Sequence, residues 1–137
     1  MQLTEMSRST GLPISTLHER LRRQRYIKRF TCLTDFTALG FTTRAHVLVA
    51  VGRHDKDRLR GYLHGHPNVN TLFRVNNGFD FLFEGIFTGM PQVEDFFDAL
   101  EKQFSIKSKI VHYVLEEIKQ EEFLSTQHYV DWVIGRE

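Results

Sequence analysis

Ser15, Thr16, His18 and Glu19 stand beside arginines 20, 22, 23 and 25 in the stretch "GLPISTLHERLRRQRYI", Gly11 to Ile27. Guanidinium groups grip phosphates, and short polar side chains at the start of a helix reach base edges. A helix opening near Ser15 can therefore enter a DNA major groove, with Thr16, His18 and Glu19 toward bases and the four arginines on phosphates or flanking contacts. The bland alternative is a solvated, arginine-rich surface helix.

A second set follows the first by some fifty residues. Asn76, Asn77, Gly78, Phe79 and Asp80 offer backbone N–H groups, amide side chains and a carboxylate. Such groups can orient the amino and carboxylate ends of an amino acid. They can equally close two strands and do nothing more. His64 and His66 in "HGHP" have no acid or cysteine close by, so they read as loop residues rather than metal ligands, and His46 and His112 as strand residues. Cys32 is the single cysteine, which excludes an intrachain disulfide and a cysteine-rich zinc site and suits a small buried hydrophobe. No Ser/His/Asp set or carboxylate pair has catalytic spacing, so neither an enzyme, a cofactor nor a metal is expected.

The elements that must position these residues differ in periodicity. Leu17 and Leu21 follow Ser15, a suitable N-cap, at helical spacing. Leu3, Met6 and Leu12 give a shorter helical signal, interrupted at "TGLP" by a turn glycine and a helix-starting proline. "YIKRFTCL", Tyr26 to Leu33, reads as a strand like a wing, and "TDFTALGF" as a linker. From Ala45 the pattern alternates. "AHVLVAV" is a strand; "DKDRLRGYLHGH" is a helix with Leu59, Tyr62 and Leu63 on one stripe; "NVNTLFRV" and "FDFLFEGIF" are strands joined by a short Asn-Gly hairpin. Pro91, with Glu94 and Asp95 in the first turn, opens a helix carrying Val93, Phe96, Phe97, Leu100 and Phe104, and "KIVHYVLEEI" is the last strand. This β-α-β-β-α-β order predicts an α+β, ferredoxin-like antiparallel sheet with both helices on one face. Phe79, Phe81, Phe83 and Phe87 are expected on the core face. The other face, with Leu48, Leu72, Leu82 and Ile86, is expected to be covered by a second copy of the chain.

Length and charge agree with this division. The 137 residues carry 41% hydrophobic and 26% charged side chains, ordinary for a globular chain able to bury a core. The net charge of +1 conceals asymmetry: residues 1–30 hold seven Lys/Arg against two Glu, whereas residues 76–137 hold five against twelve Asp/Glu. A basic N-terminal part facing a polyanion is the natural inference. No membrane-length apolar run or signal-peptide pattern is present, so the cytoplasm is expected and a membrane partner is not.

In this order "TGLPISTLHERLRR", "TDFTALGF", "RVNNGFDFLFEGIF" and "VLEEIKQ" resemble the Lrp/AsnC (feast/famine) family of transcription regulators over nearly the whole chain. The resemblance implies a winged helix-turn-helix over residues 1–33, a linker over 34–41, a βαββαβ ligand-sensing and oligomerisation domain over 42–124 and a tail over 125–137. It also implies binding of double-stranded DNA and an amino-acid effector held near the hairpin turn, in a homodimer or in tetramers or octamers built from it. Two departures are visible. The sequence starts at what resembles the family's second helix, with the first helix apparently missing and the recognition helix shortened. Asn77-Gly78 also stands where the family usually shows Gly-Asp, while Asp80 is kept. The competing expectations are a modulator of Lrp type that does not bind DNA and an Lrp-like enzyme such as a siroheme decarboxylase. Acylphosphatases share the element order, but "VGRHDKDR" lacks their glycine-rich phosphate cradle.

Overall fold

The computed structural model describes residues 33–124. The expected helix-turn-helix and tail, residues 1–32 and 125–137, lie outside the described residues. Asp35–Glu116 form one compact unit. Leu33, Thr34 and residues 117–124 belong to a second unit and carry no helix or strand.

Six elements build the compact unit: β1 (Thr43–Val51), α1 (Lys56–Gly65), β2 (Val69–Arg74), β3 (Phe81–Phe87), α2 (Met90–Gln103) and β4 (Ile106–Tyr113). The strands form one sheet in the order β2-β3-β1-β4, with each neighbouring pair antiparallel. The chain is thus α+β with ferredoxin-like topology. Alternate residues of β1 (Ala45, Val47, Val49, Val51) and of β3 (Phe81, Phe83, Phe87) point to one face, as the period of two in a strand requires. They join Leu59 and Leu63 of α1 and Val93, Phe96, Phe97 and Leu100 of α2 in a single apolar cluster, which places both helices on that face. Burying each such Leu or Phe contributes about 1.5–3 kcal/mol.

The predicted α1 stripe is present, with Leu59 and Leu63 fully buried and Tyr62 packed at the cluster's edge. Helix α2 also carries its predicted stripe, but begins at Met90, so Glu94 and Asp95 fall beyond its first turn. Gln92 instead turns back to accept from the Thr88 N–H at 2.8 Å, satisfying a donor just outside the helix start. Strand β4 starts at Ile106 rather than Lys109 and ends at Tyr113, so "LEEI" lies beyond it; Leu115 and Ile118 are almost fully exposed. The apolar residues in that segment suggested a strand, yet the last rung is the Val114 N–H bond to the Arg44 carbonyl at 2.9 Å.

The hairpin is wider than a two-residue turn. Val75 N–H donates to the Asp80 carbonyl at 3.0 Å, leaving Asn76, Asn77, Gly78 and Phe79 as a four-residue loop. Asn77 (φ 66°) and Gly78 (φ 93°) occupy the left-handed region that this pair was expected to tolerate. The loop also removes Phe79 from β3, so it does not join the core face.

A further correction concerns the open face. Leu72 pairs with Phe83 and packs on the core side, whereas Phe73, paired with Leu82, projects from the open side and is 55% exposed. An irregularity between Val69 and Thr71 inserts one residue into β2 and reverses the alternation that a regular strand would have kept.

Candidate functional site

Two places on the compact unit combine charge with an accessible surface. One is a cleft of about 330 Å³ beside the hairpin loop, lined by Ala50, Val51, Arg53, Lys56, Gly78, Phe79, Asp80 and Lys107. Four segments meet there: the end of β1, the 3-10 turn Arg53–Asp55 leading into α1, the hairpin loop, and the start of β4.

Asp80 is the joint that sets this arrangement. Its N–H donates to the Val49 carbonyl at 2.9 Å and its carbonyl accepts from Val75, so its backbone ties the loop to β1. One carboxylate oxygen accepts the Val51 N–H at 2.9 Å, and the other lies 3.2 Å from the Lys56 ammonium. The Val51 N–H does most to hold this carboxyl below its ordinary value; partial burial opposes it, and the charges of Lys56 and Lys107 add to the lowering. Asp80 therefore remains ionised and engaged within the chain.

Of the residues expected to bind an effector, Gly78, Phe79 and Asp80 line the cleft and Asn76 and Asn77 do not. Arg53, Lys56 and Lys107 were not anticipated. "VGRHDK" offered a signal, since charged residues just after a buried strand cap the sheet's end. Lys107 was hidden because the strand carrying it was expected to begin two residues later. The other expected set, Ser15, Thr16, His18, Glu19, Arg20, Arg22, Arg23 and Arg25, lies outside the described residues.

The second place is the open face of the sheet. Two rows cross all four strands side by side. Phe73, Leu82, Leu48 and Ile110 form an apolar row; next to it run Asn70, Glu84, His46 and His112. Glu84 is only 7% exposed, although neither α1 nor α2 lies on this face. Its carboxylate accepts from Asn70 Nδ2 and His46 Nε2 at 2.8 Å and from the Arg44 guanidinium at 2.9 Å. Burial is the largest single influence on Glu84 and pushes its pKa up. The hydrogen bonds from Asn70, Arg44 and His46, with the charge of Arg44, together outweigh it and leave the carboxyl below its usual range. Sequence reasoning saw this face as apolar and missed the buried acid, whose only signal was a charge among the alternating residues of β3.

His66 and His64 separate. His64 is exposed, whereas half-buried His66 packs edge-on against Phe96, with ring centroids 4.8 Å apart, and its Nδ1 accepts the Asn68 N–H at 3.1 Å. Among the described residues no group of three or more His, Cys, Asp or Glu could hold a metal ion, and no helix is long and apolar enough to cross a membrane.

No protein-family model matches the chain. Among curated proteins, the HTH-type transcriptional regulator FL11 of Pyrococcus horikoshii is 30% identical over 101 residues, covering 72% of this chain and 67% of the relative. FL11 of Pyrococcus furiosus is 28% identical over 101 residues, with the same coverage of 72% and 67%. Among solved structures, a transcriptional regulator of Neisseria meningitidis in complex with L-Met matches with a TM-score of 0.72 at 19% identity, over 83% of this chain and 78% of its own. LrpC of B. subtilis matches with a TM-score of 0.69 at 22% identity, over 88% and 86%. AsnC of E. coli has a TM-score of 0.68 at 12% identity, over 88% and 85%. The curated relatives identify the lineage and the solved structures share its fold: the chain belongs to the Lrp/AsnC family of transcription regulators and is not an enzyme.

Proposed function

We propose that this chain is a DNA-binding transcription regulator that responds to a small effector, in the first instance an amino acid, and works in the cytoplasm as a homodimer or a tetramer or octamer built from it. Residues 1–33 supply the DNA-binding module, 34–41 the linker and 42–124 the sensing and assembly domain, with 125–137 as a tail. Thr16, His18 and Glu19 read bases, Ser15 caps the recognition helix, and Arg20, Arg22, Arg23 and Arg25 hold phosphates. The effector enters the cleft beside Gly78, Phe79 and Asp80. A second copy covers the apolar row Phe73, Leu82, Leu48 and Ile110.

The observation that carries this reading is the identity to a named helix-turn-helix regulator over two thirds of that relative's length. The cleft supports the effector part, and the L-Met complex of a structural neighbour makes an amino acid the first ligand to try. The apolar row supports assembly, because a contiguous apolar band on a surface is normally an interface. A mobility-shift titration on the DNA upstream of its own gene, run at several salt concentrations, tests DNA binding. Replacing Arg22 and Arg23 together with alanine is expected to weaken binding and reduce the salt slope by about 2, one counterion per lost phosphate contact. An unchanged slope would remove these arginines from the interface.

A further inference from the structure

The charges around the cleft specify more than a small molecule. Arg53 and Lys56 approach it from the turn that leads into α1 and that helix's first residue, and Lys107 from the start of β4; Asp80 is the sole acid among its described lining residues. Asp80 is already engaged within the chain: one oxygen receives the Val51 N–H and the other faces the Lys56 ammonium at 3.2 Å, so most of its charge is compensated before a ligand arrives. Lys56 is thereby largely neutralised, while Arg53 and Lys107 make no ion pair among the described residues. The cleft thus carries three cations against one acid that is already engaged, a net excess of positive charge.

We propose that the ligand of this cleft is a small dicarboxylate without an ammonium group, its two carboxylates held by Arg53 and Lys107 and its short carbon chain laid against Phe79 and Ala50. A neutral amino acid would place its ammonium among these cations with only Asp80, already paired with Lys56, to receive it, and would use only one cation for its carboxylate. A dicarboxylate satisfies both, and guanidinium and ammonium groups form their strongest hydrogen bonds to carboxylates. The cleft volume of about 330 Å³ is at the lower end for small-molecule sites, about 300–1,000 Å³, as suits a ligand of a few carbons. Gly78 contributes through its backbone: its φ of 93° turns the loop around the cleft, and a Cβ there would meet nothing.

This assignment rests on the cleft being the effector site, and one set of calorimetric titrations on the full chain separates the two ideas. The probes are 2-oxoglutarate, L-glutamate, L-methionine and inorganic sulfate, each tested on the wild type, Arg53→Ala and Lys107→Ala. The expected result is that 2-oxoglutarate binds at least ten times more tightly than L-methionine or sulfate and more tightly than L-glutamate, which differs by an ammonium in place of the oxo group. Each substitution should weaken 2-oxoglutarate at least fivefold, and both side chains are exposed enough to change without harm to folding. If L-methionine binds best and the substitutions alter its affinity, the cleft remains the effector site and the dicarboxylate assignment falls. Equal binding of sulfate would reduce the site to unselective anion attraction and overturn the assignment. If no probe binds, both ideas fall.

Discussion

Glu84 and His46, cross-strand partners on β3 and β1, share a 2.8 Å hydrogen bond on the face of the sheet opposite α1 and α2. The carboxylate is nearly as inaccessible as the core, because Arg44, His46 and Asn70 close over it. A polar knot therefore lies beside the apolar row, and the two rows do different work. Packing of a second chain would draw on the row of Phe73, Leu82, Leu48 and Ile110. The knot fixes where the strands and their side chains sit.

Removing the carboxylate takes away the acceptor that Arg44, His46 and Asn70 share. Glu84→Ala is expected to destabilise the fold by about 2 kcal/mol, within the range for stripping a buried hydrogen-bonding group of its partner and below that for a fully buried ion pair, because His46 remains half in water. Glu84→Gln keeps an acceptor and should lose less than half as much. Urea denaturation of both variants checks this, and equal losses would mean that the carboxylate's charge, not the acceptor that the amide keeps, carries the stabilisation.

Leu72 and Phe73 are adjacent in sequence and opposite in role. Leu72→Ala should lower the urea midpoint by the equivalent of about 2 kcal/mol, the low end for Leu→Ala, since Leu72 packs on the core cluster but is only partly buried. Phe73→Asp should scarcely change the stability of the monomeric fold but should shift the mass seen by analytical ultracentrifugation toward a single chain. A Phe73→Asp protein that sediments like the wild type would show that the open face is not the assembly surface.

The order of elements was legible because it rests on periodicity: the stripes of α1 and α2 and the alternation along β1 and β3 follow from which residues need burial. The swapped roles of Leu72 and Phe73 were not legible, because an inserted residue in β2 leaves no mark on composition while reversing every side chain on one side of it. The cleft was half legible. Asn77-Gly78 announced the loop, but Arg53, Lys56 and Lys107 come together only when β1, β4 and the hairpin are placed side by side, a juxtaposition absent from local sequence.

His66 should make stability depend on pH in a window above the carboxylates. Burial lowers its pKa from 6.5, so the unfolded chain takes up the proton first as the pH falls. The stability it contributes is fully present above pH 6.5 and is lost as the pH falls from there through the folded-state pKa, by at most about 1.4 kcal/mol per pH unit. His66→Phe keeps the ring contacts with Tyr62 and Phe96 but removes the titrating group. Urea midpoints at a series of pH values should show a shallower decline below 6.5 in the variant. Parallel curves for the two proteins would exclude His66 as the source.

Gly85 occupies the middle of β3, where a glycine normally weakens a strand. Its reason is Phe87, two residues along on the same face: a Cβ at Gly85 would come within 2.5 Å of Phe87 Cε2 and 2.7 Å of Cζ. The Phe87 ring cannot easily withdraw, because it is fully buried and packed edge-on against Phe96, with centroids 5.5 Å apart. Gly85→Ala should therefore cost about 2 kcal/mol, typical of overpacking in a dense core. Shortening the ring makes the cause testable. Phe87→Leu alone removes buried area and destabilises, yet in the Gly85→Ala background it also relieves the clash, so the double variant should be more stable than the sum of the two losses predicts. Strict additivity in that cycle would mean that the cost of the added methyl lies in the strand's backbone and not in its encounter with Phe87.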